Sequence, residues 1–448
     1  MRFIVYLYGV KMFERGMFVL NKGYDKKIKI RDAIYGFIEL DDQEREIINS
    51  PYFQRLRRIK QLSLTDMVYP GACHTRFEHS LGVMQMATDM YDNLVKTKGN
   101  LDKLSMSQSS CERTRKILRM AALLHDIGHP PFAHAGEEKM PVAPEGHPVY
   151  MDENNDPIKF EHEHYGHAAI KMLFEDIIEG HILGSGLSIM VDEVLFLLGD
   201  KSIKKTYPNL VIFKELISGQ VDADRADYLL RDSLHLGVNY GIYDRNRLVS
   251  CITVGKDIET EAMVMAIEEG GWQSAESLVL ARYQMFSQVY FHKVRRIFDY
   301  HVGKALGEIL KHMGFANGTF PPPTSKENME AYLGIDDWAI QGMIMNGNGG
   351  EHGTRIVNRT PYKKMQPDHE RDITSEVEER INTFEAEHQG RCFVDRSFST
   401  KWYKLDSDIK INNKAVGDAY PLSTKSKIVA NIGQPKVTRF YADRMGGQ

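Results

Sequence analysis

Along the first two thirds of the chain the apolar residues recur at helical rather than strand spacing. Phe77, Leu81, Met84, Tyr91 and Val95 stand three, four or seven residues apart, which predicts an amphipathic helix with one face on a core. Thr75 and Glu78 ahead of it form the pattern of a capping box. Ile117 to Leu124 is largely apolar and predicts a helix buried on most sides, with Pro130-Pro131 as its stop. This periodicity dominates from about residue 40 to about residue 315. Before it, Phe3 to Tyr8 reads as a strand within an N-terminal extension, residues 1–27. Residues 141–159 are turn-formers without periodicity and predict a surface loop. Further breaks fall at 313–325, around Pro321-Pro322-Pro323, and at 346–354, rich in Asn and Gly. Beyond residue 390 short β-like runs appear, such as Asp408 to Ile411 and Val437 to Tyr441. The pattern predicts a mainly α protein: a large helical domain over 28–315, then a smaller α+β region over 316–448.

Composition narrows the class without naming a function. The 448 residues are 42% hydrophobic and 26% charged, as in a soluble globular protein, and no apolar run approaches the roughly 20 residues that span a membrane. Lys and Arg total 57 against 61 Asp and Glu, a net charge of −4, so no global basic field favours nucleic acid. Local Arg and Lys can still bind a small polyanion. Cys73, Cys111, Cys251 and Cys392 are far apart and form no CxxC, which suits reduced, buried thiols in the cytoplasm.

The candidate chemistry lies in three separated runs. They are Thr75-Arg76-Phe77-Glu78-His79, Leu123-Leu124-His125-Asp126-Ile127-Gly128-His129, and Val221-Asp222-Ala223-Asp224-Arg225. Two imidazoles and two carboxylates, from His79, His125, Asp126 and Asp224, make a mixed nitrogen–oxygen site for a divalent ion with positions left for water or substrate. Zinc, manganese, iron and magnesium all suit it. Either histidine alone reads more readily as a hydrogen-bonded core residue. The doublet at the end of a buried helix changes that balance, because a buried charge without a partner is costly and a metal supplies one. His129, His134 and His162 surround this centre in sequence. A histidine beside a phosphate can give a proton to a leaving oxygen, or can orient ligands from behind. Glu137 is a candidate to orient His134.

Two later stretches add groups suited to a nucleotide. Asp224, Tyr228, Arg231 and Asp232 follow the spacing i, i+4, i+7, i+8 and project to one side of a helix. Arg282, Phe286, Tyr290 and Lys293 read as one further helix, with cations for phosphates and a ring for a sugar or base.

Taken together, these runs resemble the deoxynucleoside triphosphate triphosphohydrolase branch of the HD phosphohydrolases. The matching stretches are Ser50 to Leu62, Tyr69 to Gly82, Leu124 to His134, Asp222 to Gly237 and Tyr290 to Lys293. The resemblance implies an HD-domain helical core and a metal held by His79, His125, Asp126 and Asp224. It implies that Arg76, His129, His134, Arg225 and Arg282 contact or activate the triphosphate. Gln61 and Asp232 would bind the sugar 3′-hydroxyl, and Tyr228 and Tyr290 would line the sugar and crowd a 2′-hydroxyl. Water would attack the α-phosphorus, releasing a deoxynucleoside and intact triphosphate. It further implies a homo-oligomer, dimer or tetramer, with an activating nucleotide held by Gln54 and Arg57. Asn49 stands where a guanine-reading aspartate is found in the vertebrate enzyme, which points to dATP or several dNTPs as activator. Phe291 replaces a glutamine of the catalytic pocket.

Two other functions compete. One is an HD phosphohydrolase acting on a monophosphate, a cyclic nucleotide or an alarmone. The other is a nucleic-acid-binding or nuclease role, whose local support is the cationic run Arg55, Arg57, Arg58 and Lys60.

Overall fold

The computed structural model describes residues 28–144, 150–151, 156–181, 188–369, 373–398, 408–413, 415 and 417–443. The expected N-terminal strand and much of the 141–159 loop lie outside them. A short hairpin opens the described chain, β1 (Ile28–Asp32) pairing antiparallel with β2 (Gly36–Leu40). Helix α1 (Asp42–Asn49) follows, its Asp41 and Glu44 forming a reciprocal capping box. Then come the long helices α2 (Arg76–Lys96) and α3 (Gln108–Leu124), the short α4 (His162–Ala169), and α5 (Ala223–Leu236). Helices α6 (Trp272–Met285), α7 (Lys293–His312), α8 (Asp337–Met345), α9 (Gly350–Val357) and α10 (Ser375–His388) follow, with further short helices between these elements. The mainly α reading with a C-terminal α+β region is the architecture observed.

α2 is buried on nearly every side because α3 and α5 both pack on it, and its Phe77, Leu81, Met84 and Tyr91 join the main core. Its start is fixed by Glu78, whose carboxylate accepts the Thr75 N–H at 2.7 Å. α3 is buried from Lys116 to Leu124, as its apolar run predicts. It ends at Leu124, six residues before the prolines. The N–H groups of Ile127 and His129 bond to Leu124 and Asp126 carbonyls, and these tight turns stop the helix first. α1 is tied to this pair by a buried charge cluster: the Glu44 carboxylate accepts from Arg119 and Lys116 of α3.

Strands interrupt the helical stretch where none was expected. β3 (Ile252–Asp257) and β4 (Met263–Glu268) form a hairpin, and β7 (Lys410–Asn412) and β8 (Asp418–Pro421) close it into a four-stranded barrel by parallel pairing with β4 and β3. A second sheet joins β5 (Lys363–Lys364), β9 (Lys436–Ala442) and β6 (Cys392–Phe398). The expected break at 346–354 is shorter than its composition suggests, since α9 begins at Gly350. One hydrophobic cluster runs from Ile38 to Val429. The four cysteines are free thiols, but Cys73 is exposed rather than buried. No helix among the described residues is long and apolar enough to cross a membrane.

Candidate metal centre and substrate cleft

Four side chains from three segments converge at the ends of three helices. His79 lies in the first turn of α2, His125 caps the end of α3, Asp126 follows in the turn, and Asp224 lies in the first turn of α5. His79 Nε2 is 3.0 Å from Asp224 Oδ1 and 3.6 Å from Asp126 Oδ2. His125 Nε2 is 3.4 Å from Asp126 Oδ1 and 3.8 Å from Asp224 Oδ1. Ligands about 2.1 Å from a tetrahedral ion sit about 3.4 Å apart; donor atoms of His79, His125 and Asp126 lie within 4.8 Å of one another, and Asp224, outside that group, lies against both histidines.

The tautomers point the same way. The Ala122 carbonyl, 2.8 Å from His125 Nδ1, can only accept, so Nδ1 carries the hydrogen. Nε2 then presents its lone pair, buried and without a hydrogen-bond partner. His79 Nδ1 is 2.7 Å from Asp227 Oδ2, which turns its Nε2 toward the two carboxylates. A carboxylate or carbonyl behind each ligating imidazole is the arrangement that fixes metal ligands in place. Burial opposes charge on His79, yet its hydrogen bonds to the Asp224 and Asp227 carboxylates outweigh it and raise its pKa to about 10.

Asp227 was missed by sequence reasoning. Its signals were its spacing, three residues after Asp224 and four before Arg231. Arg231 was placed on the cleft side of α5, but it turns away, bonding both Asp227 oxygens and reaching Asp32 of β1 at 2.9 Å. Gly82 of α2 makes room for this pair: a Cβ there would lie 2.0 Å from Asp227 Oδ1.

A second cluster adjoins the first. His129 Nε2 lies 3.4 Å from Asp126 Oδ1, and the His129 ring stacks on His162 at 3.8 Å. Glu137 accepts from His162 Nδ1 and lies 3.2 Å from His134 Nδ1. Donor atoms of His129, His134, Glu137 and His162 all fall within 4.8 Å of one another. His129 arrives here through a turn, not through continuation of α3. Gly128 permits the approach, since a Cβ there would lie 2.2 Å from the His162 carbonyl and the Gly166 nitrogen. Burial, the Arg76 charge and His162 push the His129 pKa well below its ordinary value, which keeps that imidazole neutral. Burial opposes ionisation of Glu137, but its two histidines hold it well below the usual carboxylate range.

The loop carrying these histidines is strained and clamped. Phe132 and Ala133 have φ of 61° and 51°, unusual for residues with a Cβ. The Phe132 N–H donates to Asp337 Oδ1 at 2.7 Å, Tyr332 Oη donates to the Gly128 carbonyl at 2.7 Å, and Arg55 Nη1 donates to the His129 carbonyl at 2.8 Å. Three side chains from outside the loop hold it in this shape.

The expected substrate groups line the same region. Arg76 is buried and donates to Asp126 Oδ2. Tyr290 Oη donates to Asp232 Oδ2 at 2.7 Å, and its ring meets Tyr228 edge-on at 6.1 Å. Arg282 is buried and acts electrostatically on Tyr228. Gln61 is buried with Oε1 lacking a hydrogen-bond partner. Arg225 folds back onto the Gly219 carbonyl and Asp222. The residues Arg282 to Lys293 are not one helix: a π-helical turn over Phe286–Tyr290 ends α6, and Lys293 opens α7. Gln54 and Arg57 come together, Arg57 Nε donating to Gln54 Oε1 at 2.9 Å, while Asn49 is exposed at the end of α1. The cationic run is not a free basic face. Arg55 is fully buried, Arg58 pairs with Asp336, Lys60 pairs with Asp66, and Arg57 lies over the Phe77 ring at 3.5 Å.

Comparison with known proteins agrees with this geometry. Residues 76–231 match the HD domain, and residues 243–396 match the HD associated region. The chain carries an HD domain followed by an HD associated region. HD domains bind divalent metals, and the His79, His125 and Asp126 cluster is one that can hold such an ion. An uncharacterised protein from Methanocaldococcus jannaschii is 37% identical over 277 residues, 62% of this chain and 49% of that one. A protein of Dictyostelium discoideum named deoxynucleoside triphosphate triphosphohydrolase SAMHD1 homolog is 32% identical over 279 residues, 62% of this chain and 49% of its own length. The chain thus spans about half the length of these curated relatives. The crystal structure of a hypothetical protein from Aquifex aeolicus matches with a TM-score of 0.70 and 26% identity, covering 94% of this chain and 97% of that one.

Proposed function

We propose that this protein is a metal-dependent triphosphohydrolase that converts dNTPs to deoxynucleoside and inorganic triphosphate. The observation that carries the reading is Asp126. Its Oδ1 lies 3.4 Å from both His125 Nε2 and His129 Nε2, so one carboxylate joins the metal centre to the histidine–glutamate cluster. A site for a divalent ion and a site for proton transfer therefore share a wall, as cleavage of a phosphate ester requires. The name of the Dictyostelium relative supports the choice of substrate.

His79, His125, Asp126 and Asp224 would hold the ion. When bound, such an ion polarises a phosphoryl oxygen and lowers the pKa of water. The other roles fall to side chains. Arg76, Arg225 and Arg282 neutralise the triphosphate, with Arg225 exchanging its Asp222 partner for phosphate oxygens. Burial opposes charge on His162, but the Glu137 carboxylate supports it; His162, or His134 at 3.2 Å from Glu137, donates a proton to the leaving 5′-oxygen. Neutral His129 keeps a hydrogen-bonding nitrogen beside Asp126. Gln61 and Asp232 bind the sugar 3′-hydroxyl, and the Tyr228 and Tyr290 rings exclude an added 2′-oxygen by bulk.

The same reading assigns manganese, iron, zinc or magnesium to the centre, a homo-oligomeric assembly, and an activator site at Asn49, Gln54 and Arg57. Incubating the metal-loaded protein with each dNTP, singly and in pairs, and resolving products chromatographically tests it. Triphosphate released in one step is the expected result. Orthophosphate or pyrophosphate would assign the protein to another nucleotide chemistry.

A further inference from the structure

Asp232 sits in a chain of three side chains whose first member no motif assigned. His74 Nε2 lies 2.7 Å from Asp232 Oδ1, and Tyr290 Oη donates to Asp232 Oδ2 at 2.7 Å. His74 and Asp232 are 2% and 1% exposed, so water does not compete for these bonds. Asp232 can only accept, so His74 Nε2 carries the hydrogen, and the two Asp232 oxygens are each claimed by a different donor. The opposite edge of His74 is bare: Nδ1 is buried without a hydrogen-bond partner. Here the ring spends its one donor on Asp232 and nothing else.

His74 is itself fixed in place. Its carbonyl accepts the Gln61 N–H at 3.0 Å, and its ring stacks on His235, one turn beyond Asp232, at 4.5 Å and 14°. The same short segment leads directly into Arg76, which bonds Asp126. At the other end of the chain, the Tyr290 ring packs edge-on against Tyr228 and against Phe286 at 5.1 Å. Its hydroxyl has Asp232 as the partner that sets the ring's place along that wall.

We infer that His74 is a positioning residue of the sugar pocket: it locks Asp232, and through Asp232 the ring of Tyr290, so that rejection of ribose rests on the whole chain rather than on the tyrosine alone. This rests on the reading of the substrate as a dNTP. A wall of apolar bulk discriminates an added hydroxyl by only about 100-fold even when rigid, and a ring free to tilt discriminates less. Anchoring the ring through a buried acceptor, itself held by a second donor, keeps the wall from yielding to a 2′-oxygen.

The test compares kcat/KM for dATP and ATP in the metal-loaded protein and in His74→Leu, His74→Gln, Tyr290→Phe and the His74→Leu/Tyr290→Phe double variant. Leucine removes the donor, whereas the glutamine amide can restore it. The expected outcome is a dATP:ATP ratio that falls about tenfold in His74→Leu and returns to within about threefold of the parent in His74→Gln. The drop should come mainly from a gain in ATP turnover, a change that simple destabilisation does not produce. In the Tyr290→Phe background His74→Leu should add little, because the chain is already cut. Equal loss on both substrates in His74→Leu, or full additivity with Tyr290→Phe, overturns the inference while leaving the substrate assignment standing. If the leucine variant does not fold, an unchanged ratio in Tyr290→Phe overturns the inference on its own. A parent protein that hydrolyses dATP and ATP alike overturns both.

Discussion

Asp227 offers a demanding check on the metal centre, because it touches no substrate and would hold no metal. Its Oδ2 receives His79 Nδ1 at 2.7 Å and Arg231 Nε at 2.9 Å, while Oδ1 receives Arg231 Nη2 at 2.9 Å. In Asp227→Asn the amide oxygen settles at the Oδ2 position, where it still accepts from both. Its NH2 group then faces Arg231 Nη2, donor against donor, and the negative charge is gone. Breaking a buried ion pair costs about 3–5 kcal/mol, but Arg231 keeps Asp32, so a loss of about 2 kcal/mol is expected. His79 keeps its tautomer but becomes a weaker base. Loss of such an outer partner lowers metal affinity about 10–100-fold, and the retained acceptor places this variant near tenfold, about 1.4 kcal/mol. Competition with a chelator of known affinity measures the second quantity, and urea unfolding of the metal-free protein measures the first. Stability lost with metal affinity unchanged would refute the claim that Asp227 prepares His79 as a ligand.

Three further outcomes are expected. His125→Ala removes one bond to the Ala122 carbonyl and should abolish hydrolysis and lower metal content with little change in the circular dichroism spectrum, whereas Asp126→Ala should also destabilise by stranding buried Arg76; full activity in either contradicts the centre. Burial opposes ionisation of Glu44, but the Arg119 hydrogen bonds and charge bring its pKa from 4.5 to about 2, corresponding to about 3 kcal/mol of stability. That carboxyl is depressed in the folded state, so its contribution is complete above about pH 4.5 and is lost as pH falls toward 2; urea midpoints should fall over that window in the parent and change less in Glu44→Gln. Light scattering and activity across nucleotide pairs should show assembly promoted by dATP or several dNTPs, since an Asn49 amide offers both donor and acceptor; absolute dependence on a guanine nucleotide contradicts that use of Asn49.

What the sequence revealed and what it hid follow from the physics of each residue. The His125–Asp126 doublet was legible because a charge at the end of a buried helix has few purposes. Asp227 and His74 were not, because a residue that acts through another is recognised only when its partner is known. Arg231 was read on the wrong side of α5: helical spacing places residues on a face but does not say that Asp32, far away in sequence, waits on the other. The α2 core and the end of the chain as short strands were clear from periodicity. The β3–β4 hairpin was not, since its strands find partners in β7 and β8 some 150 residues later, a non-local pairing that local spacing does not encode.

The central claim is hydrolysis at the α-phosphorus of a dNTP by an HD metal centre. Turnover of a dNTP in water enriched in oxygen-18, followed by mass spectrometry of the products, tests it most directly. Attack of water on the α-phosphorus yields intact triphosphate carrying one labelled oxygen and a deoxynucleoside whose 5′-hydroxyl is unlabelled. Labelled orthophosphate or pyrophosphate, a deoxynucleotide product, or label in the nucleoside would contradict it.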